Sequence, residues 1–235
     1  MKFILKISLW VFSLLLINCL PANAQYPKKR MTADFRMGMN YPQMSGTRGS
    51  EQFKMGLHIG GNVNYKIIGN FQVQTGFYVT KKGYKTYQRE VHESENNVVR
   101  VDEGWYEATG NYIQMPFNIG YELYVTQRIA FNINGGVYAA YGYGNKGKTK
   151  YKGLITTYKP NEYPVYAYPN DQFEELTFSD TRWKRSDYGL NGSIGFIYDI
   201  YTINFNYEHG LCNVTQERLQ GLKHRVYSVS LGFRF

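Results

Sequence analysis

His224-Arg-Val-Tyr-Ser-Val-Ser-Leu-Gly-Phe-Arg-Phe235 alternates along its whole length. Tyr227, Val229, Leu231, Phe233 and Phe235 share one face; Ser228, Ser230, Gly232 and Arg234 share the other. Period-two alternation marks a β-strand with one apolar and one polar side. Such a strand leaves a row of open hydrogen-bonding groups unless it is paired, and the partner that closes the sheet is the first strand of the same chain.

Working outward, the same pattern recurs seven times. Strands are predicted at 32–41, 53–66, 71–89, 106–124, 129–143, 188–199 and 201–212, with 224–235 as the eighth. The second carries Leu57, Ile59, Val63 and Tyr65 against His58, Gly60, Asn62 and Asn64. The seventh carries Ile203, Phe205 and Tyr207 against Thr202, Asn204 and Glu208. Pro116 lies inside the fourth strand, where it cannot donate to a ladder, so a bulge or a missing bond is expected there.

Long connections (42–52, 90–105, 144–187, 213–223) alternate with short ones (67–70, 125–128, 199–201). Short periplasmic turns, long extracellular loops and an even strand number are the pattern of an outer-membrane barrel. The polar faces are uncharged or Gly-rich at mid-strand, which suits the packed interior of a narrow ring. Hydrocarbon offers the backbone no partners, so a sheet immersed in it must close. The expected fold is therefore all-β: an eight-stranded antiparallel up-and-down transmembrane β-barrel, residues 25–235. Two further strands inside 144–187, giving a ten-stranded ring, are the alternative.

Residues 1–24 read as a secretory signal peptide: Lys2 and Lys6, an apolar run from Phe3 to Leu16, and Ala22-Asn23-Ala24 before the cleavage point. With Lys2 and Lys6 removed, the net charge falls from +9 to +7. The cations do not gather on one face, so contact with anionic headgroups or solvated loops is expected, not nucleic acid. One cysteine, Cys212, remains outside the leader, so no intramolecular disulfide is expected. Aromatic residues reach 17%, with 23 Tyr, which fits rings placed at the headgroup level.

Tyr112-Ile-Gln-Met-Pro-Phe-Asn-Ile-Gly-Tyr121, Asp187-Tyr-Gly-Leu-Asn-Gly-Ser-Ile-Gly-Phe196, Tyr207-Glu-His-Gly-Leu211 and Val226-Tyr-Ser-Val-Ser-Leu-Gly-Phe233 resemble the PorT-like outer-membrane β-barrel family of Bacteroidota. The resemblance spans most of residues 30–235. It implies an eight-stranded barrel in the outer membrane, and its founding type serves the type-nine secretion system.

Two groups of residues are candidates for function. Asp34, Arg36, Lys66, Glu122, Asp199 and Arg234 face inward near the periplasmic mouth. Unpaired charge in a narrow barrel is costly, so mixed signs predict an internal salt-bridge plug, with a narrow polar path as the alternative. Glu208 and His58 lie higher on the same face. In the longest loop a basic arm (Lys146 to Lys159) precedes an acidic arm (Glu162 to Asp180), with Tyr151, Tyr158, Tyr163, Tyr166 and Tyr168 interspersed. The arms predict a hairpin standing above the membrane, and its rigid tyrosines suit recognition. Gly142-Tyr-Gly-Asn-Lys-Gly-Lys-Thr149 matches the phosphate-loop pattern, but no helical period follows it, so a strand exit is expected. His209 and Ser228 lack a geometry for hydrolysis, since His209 and Glu208 alternate out and in. No metal-ligand spacing appears. No enzyme activity and no cofactor are expected. The expected partners are the outer-membrane lipid bilayer and an envelope or secretion-system protein, around a monomeric barrel. Three roles follow: loop-borne surface interaction or envelope structure, part of a secretion or transport assembly, and a narrow porin-like channel.

Overall fold

The computed structural model describes residues 29–46, 50–52, 54–93, 99–144, 148–158, 166–178, 183–215 and 221–235. The predicted leader, 1–24, lies outside these residues. The described residues form eleven strands and no helix: β1 (Met31–Ser45), β2 (Ser50–Gln52), β3 (Gly56–Ile68), β4 (Phe71–Glu93), β5 (Val99–Tyr124), β6 (Ile129–Tyr143), β7 (Lys148–Tyr158), β8 (Tyr166–Leu176), β9 (Ser186–Tyr198), β10 (Tyr201–Gly210) and β11 (Lys223–Arg234). Eight of them close a ring in the order β1-β3-β4-β5-β6-β9-β10-β11, with β11 paired back onto β1. The fold is an eight-stranded antiparallel up-and-down β-barrel.

The ladder fixes the geometry of the ring. From Glu122 on β5, successive register partners are Asn132, Gly195, Asn204, Ser230, Gly38, His58, Thr80 and then Tyr112, again on β5. One circuit therefore shifts the register by ten residues. At about 3.4 Å per residue and about 4.8 Å between strands, that stagger tilts the strands about 41° from the axis. A ring this narrow is filled by its own side chains. Inward Asn residues lie over inward Gly: a Cβ on Gly195 would meet Asn132 Oδ1 at 2.1 Å and Asn204 Oδ1 at 2.5 Å.

Alternation decides inside from outside. Phe205 and Val229 are 58% and 48% exposed on the outer wall, whereas Asn204, Ser228 and Ser230 are buried in the lumen. An aqueous β-protein would show the reverse.

Three features depart from expectation. First, β4 and β5 run on through most of 90–105, which the sequence predicts as loop; Val91 pairs with Val101 and His92 with Arg100. On β4 the successive residues Gln88 to His92 are all exposed, so no alternation betrays the extension. Second, the 144–187 stretch does contain two strands, β7 and β8, but they stay out of the ring: β7 ladders onto the upper end of β5, and β8 onto β7. Third, Asp199 is not a strand residue. Strand β9 ends at Tyr198, and Asp199 is the exposed first residue of a two-residue turn with φ 55°. Hairpins of this size need a positive φ there. Pro116 leaves Gly76 and Phe77 unladdered to β5, and the register resumes unchanged on either side, so the outcome is a missing bond, not a bulge.

Candidate functional site

The candidate sites are the two ends of the lumen and the sheet that rises above it. At the periplasmic end, β1 and β11 place Asp34 opposite Arg234. Arg234 donates from Nε to Asp34 Oδ1 (2.6 Å) and from Nη1 to Glu122 Oε2 (2.6 Å). Arg36 donates to Asp34 Oδ2 at 2.6 Å. Lys66 lies 3.6 Å from Glu122 and donates to the Tyr124 hydroxyl, which in turn donates to Glu122. Five of the six predicted charges thus meet in one network, and Asp199, in its turn, lines the hollow beneath it. An amide relay extends inward from it: Asn118 donates to Gln74, Gln74 to Asn64, and Asn64 to Asp34. Beneath the network, Lys66, Glu122, Tyr124 and Arg234 line a hollow of about 260 Å³.

At the extracellular end a second charged group is buried. Lys82 is fully enclosed and lies 3.0 Å from both Asp187 and Glu208. Its ammonium sits 4.3 Å from the centre of the Tyr138 ring. Gln114 and Asn206 donate to Glu208, and Tyr138 and Cys212 donate to Asp187. Tyr112 and His224 face each other at 3.3 Å. Sequence reasoning placed Glu208 and His58 inward and missed Lys82 and Asp187. The signal was present: the alternation through Tyr78 and Thr80 carries Lys82 inward one step later. What alternation cannot show is that Lys82 meets a residue 105 positions away.

Over this group lies an apolar cap. Trp183, Phe178, Val214 and Leu222, from the long connections, pack on Met44, Tyr84, Tyr112 and Tyr138. Trp183 is 2% exposed and stacks on Tyr84 with the rings 7° from parallel. The chain is tied there by Lys184 N donating to Val214 O and Val214 N to Leu222 O. Gly142, first residue of the phosphate-loop-like run, serves this cap: a Cβ there would lie 2.3 Å from the Phe178 ring. The run leads from strand β6 to strand β7, so it opens no helix.

Above the cap, β4 and β5 continue as an extension to which β2 and the β7–β8 hairpin are added. Lys150 on the basic arm lies 3.2 Å from Glu174 on the acidic arm. Lys54, ahead of β3, lies 3.2 Å from Glu107 and donates to Ala108 O, tying the rim to the base of the extension. Burial pulls the Lys54 ammonium below its usual value, with Glu107 opposing. Tyr151 packs its ring against Gly104. Tyr158 belongs to β7 and Tyr166 and Tyr168 to β8, while Tyr163 lies outside the described residues. His209 points outward, whereas Glu208 and Ser228 are buried within.

Comparison with known proteins agrees with this architecture. Residues 23–216 match the family model described as outer membrane protein beta-barrel domain. Among solved structures, similarity extends to OprG of Pseudomonas aeruginosa (14% identity, 90% of this chain and 98% of that one, TM-score 0.43). It extends also to the attachment invasion locus protein Ail of Yersinia pestis (11% identity, 87% and 98%, TM-score 0.34), and to Neisserial surface protein A (8% identity, 88% and 98%, TM-score 0.38). No curated protein matches the chain. The protein resides in the outer membrane, and the chain belongs to the outer membrane β-barrel domain family.

Proposed function

We propose that this protein is a closed, monomeric, non-enzymatic barrel, exported by a cleaved leader (residues 1–24), that anchors a stiff β-sheet on the cell exterior for contact with a surface partner. The observation that carries the reading is the continuous ladder from the ring into β7: Val99 to Ala108 of β5 pair with Tyr158 to Thr149. A sheet built this way loses little entropy when it meets a partner. Tyr151, Tyr158, Tyr163, Tyr166 and Tyr168 are the contact residues in this reading. The Asp34–Arg36–Lys66–Glu122–Arg234 network holds the barrel shut at one end, and the Trp183 cap closes the other, which speaks against a porin-like channel.

A photo-reactive residue placed at Lys152, exposed on β7, tests the reading in intact cells. A discrete cross-linked protein from position 152, and none from the lipid-facing position 229, is expected. The second reading is a component of a secretion assembly of the PorT type. The resemblance of Tyr112–Tyr121 and Asp187–Phe196 to that family favours it. Cross-links from Arg128, in a periplasmic turn, with silence at 152 would select it.

A further inference from the structure

The outer wall of the barrel carries a groove that the roles above do not use. Its lower lip is a row of outward side chains joined by register, Ile194–Phe205–Val229. Its upper lip is the next outward row, Gly192–Tyr207–Tyr227. Because Gly192 has no side chain, the lip is notched and the groove stays open, with a volume of about 730 Å³. The floor is the backbone of the intervening residues, and the lining is almost wholly apolar. The rows run across tilted strands, so the groove descends obliquely through the hydrocarbon layer.

One rung above the upper lip, on the extracellular side, His209 pairs in register with Arg225, and Arg225 with Gln43. Arg225 is exposed, and neither cross-strand neighbour is an acid. The Tyr207 hydroxyl lies 3.4 Å from His209 Nδ1, which links lip to head. Elsewhere on the rim the arrangement differs: Lys54 is engaged by Glu107.

We propose that the groove holds one acyl chain of an anionic phosphate-bearing lipid of the outer leaflet, with its phosphate on Arg225 and His209. The guanidinium supplies paired donors that match phosphate oxygens, and the imidazole adds a third. The chain replaces loosely packed annular lipid along the notch at Gly192. A basic residue at this level adds to anionic-lipid affinity on its own, and the groove makes the site selective for a lipid over a free phosphate.

Native mass spectrometry of the full barrel in detergent micelles tests this, with dimyristoyl phosphatidic acid and dimyristoyl phosphatidylcholine as probes. One phosphatidic acid per barrel is expected, with phosphatidylcholine lost under the same activation. Arg225→Gln weakens retention about fivefold. Gly192→Leu, whose Cβ would meet only Asn134 O at 3.8 Å, fills the notch and abolishes retention while leaving the folded band shift intact. Lys81→Gln, another outward cation of the rim, changes nothing. Equal retention of phosphatidylcholine, or wild-type retention in both Arg225→Gln and Gly192→Leu, overturns the proposal. Complete displacement by inorganic phosphate overturns it in favour of a simple anion site.

Discussion

Arg234 and Asp34, register partners across the seam where the last strand meets the first, are joined by two hydrogen bonds of 2.6 and 3.2 Å. The ring is therefore closed by side chains as well as by backbone. Asp34 also holds Arg36, so Asp34→Ala strips the buried Arg36 of its carboxylate and leaves Arg234 to Glu122 alone. Breaking a buried pair by removing one partner costs about 3–5 kcal/mol. The urea midpoint of the barrel in lipid vesicles is expected to fall accordingly. A loss below about 1 kcal/mol, the value of an exposed pair, would show the network to be solvated.

The outer wall makes a depth-dependent prediction. Phe205 lies in the middle of the apolar belt and Gln43 at its extracellular rim, two rungs above Met39 and level with Arg225. Phe205→Arg is expected to destabilise the inserted barrel by about 2–4 kcal/mol and Gln43→Arg by about 0–1 kcal/mol. Reversible unfolding in vesicles measures both. Equal costs would place the bilayer elsewhere.

These two predictions rest on what alternation made legible. Each ring strand buries one face in the lumen and turns the other to lipid, so its period is written in side-chain polarity. Residues 129–143 were bounded correctly for that reason. In the extension, Arg89, Glu90, Val91 and His92 of β4 are exposed on alternating sides, and nothing in the composition separates strand from loop. Asp34, Arg36 and Glu122 could be placed inward by parity, but their pairing depends on the stagger of the ring, which no local pattern records. Trp183, Phe178, Val214 and Leu222 form a cap from two separate connections with no period at all.

The cap predicts a protected tryptophan. The chain has three Trp, at 10, 105 and 183. In a Trp105→Phe protein expressed without residues 1–24, Trp183 alone reports. Its emission is expected to be blue-shifted and resistant to acrylamide, and Leu222→Ala, which removes a cap neighbour, raises quenching. A red-shifted, freely quenched signal would mean that the extracellular mouth stands open.

Cys212 lies just beyond β10, half-buried, with its thiol 3.3 Å from Asp187. Burial pushes its pKa up, and the neighbouring carboxylate adds to the shift. The folded state favours the neutral thiol, so this contribution to stability is present below the ordinary thiol range and is lost as pH rises through the raised value. Alkylation needs the thiolate. At neutral pH the folded protein is expected to react several-fold more slowly than the urea-unfolded chain, with the gap closing in strong alkali. Equal rates at pH 7 would place Cys212 in open solvent.

The protruding hairpin should be separable from the ring that carries it. Residues 148–176 join the molecule through the β5–β7 and β7–β8 ladders, both outside the closed circuit, whereas Phe178 and Trp183 immediately downstream belong to the cap. Replacing 148–176 with a short Gly-Ser linker is expected to leave insertion intact and to cost about 1.5–3 kcal/mol, the value of one buried apolar side chain, Ile155. The same change is expected to abolish cross-linking at the cell surface. A longer excision, 148–185, removes Phe178 and Trp183 as well; it exposes Tyr112 and Tyr138, and it should lower stability. If the shorter excision alone prevents insertion, the upper half of β5 is not independent of its hairpin, and the surface role would have to be tested by point substitution at Lys150 and Glu174 instead.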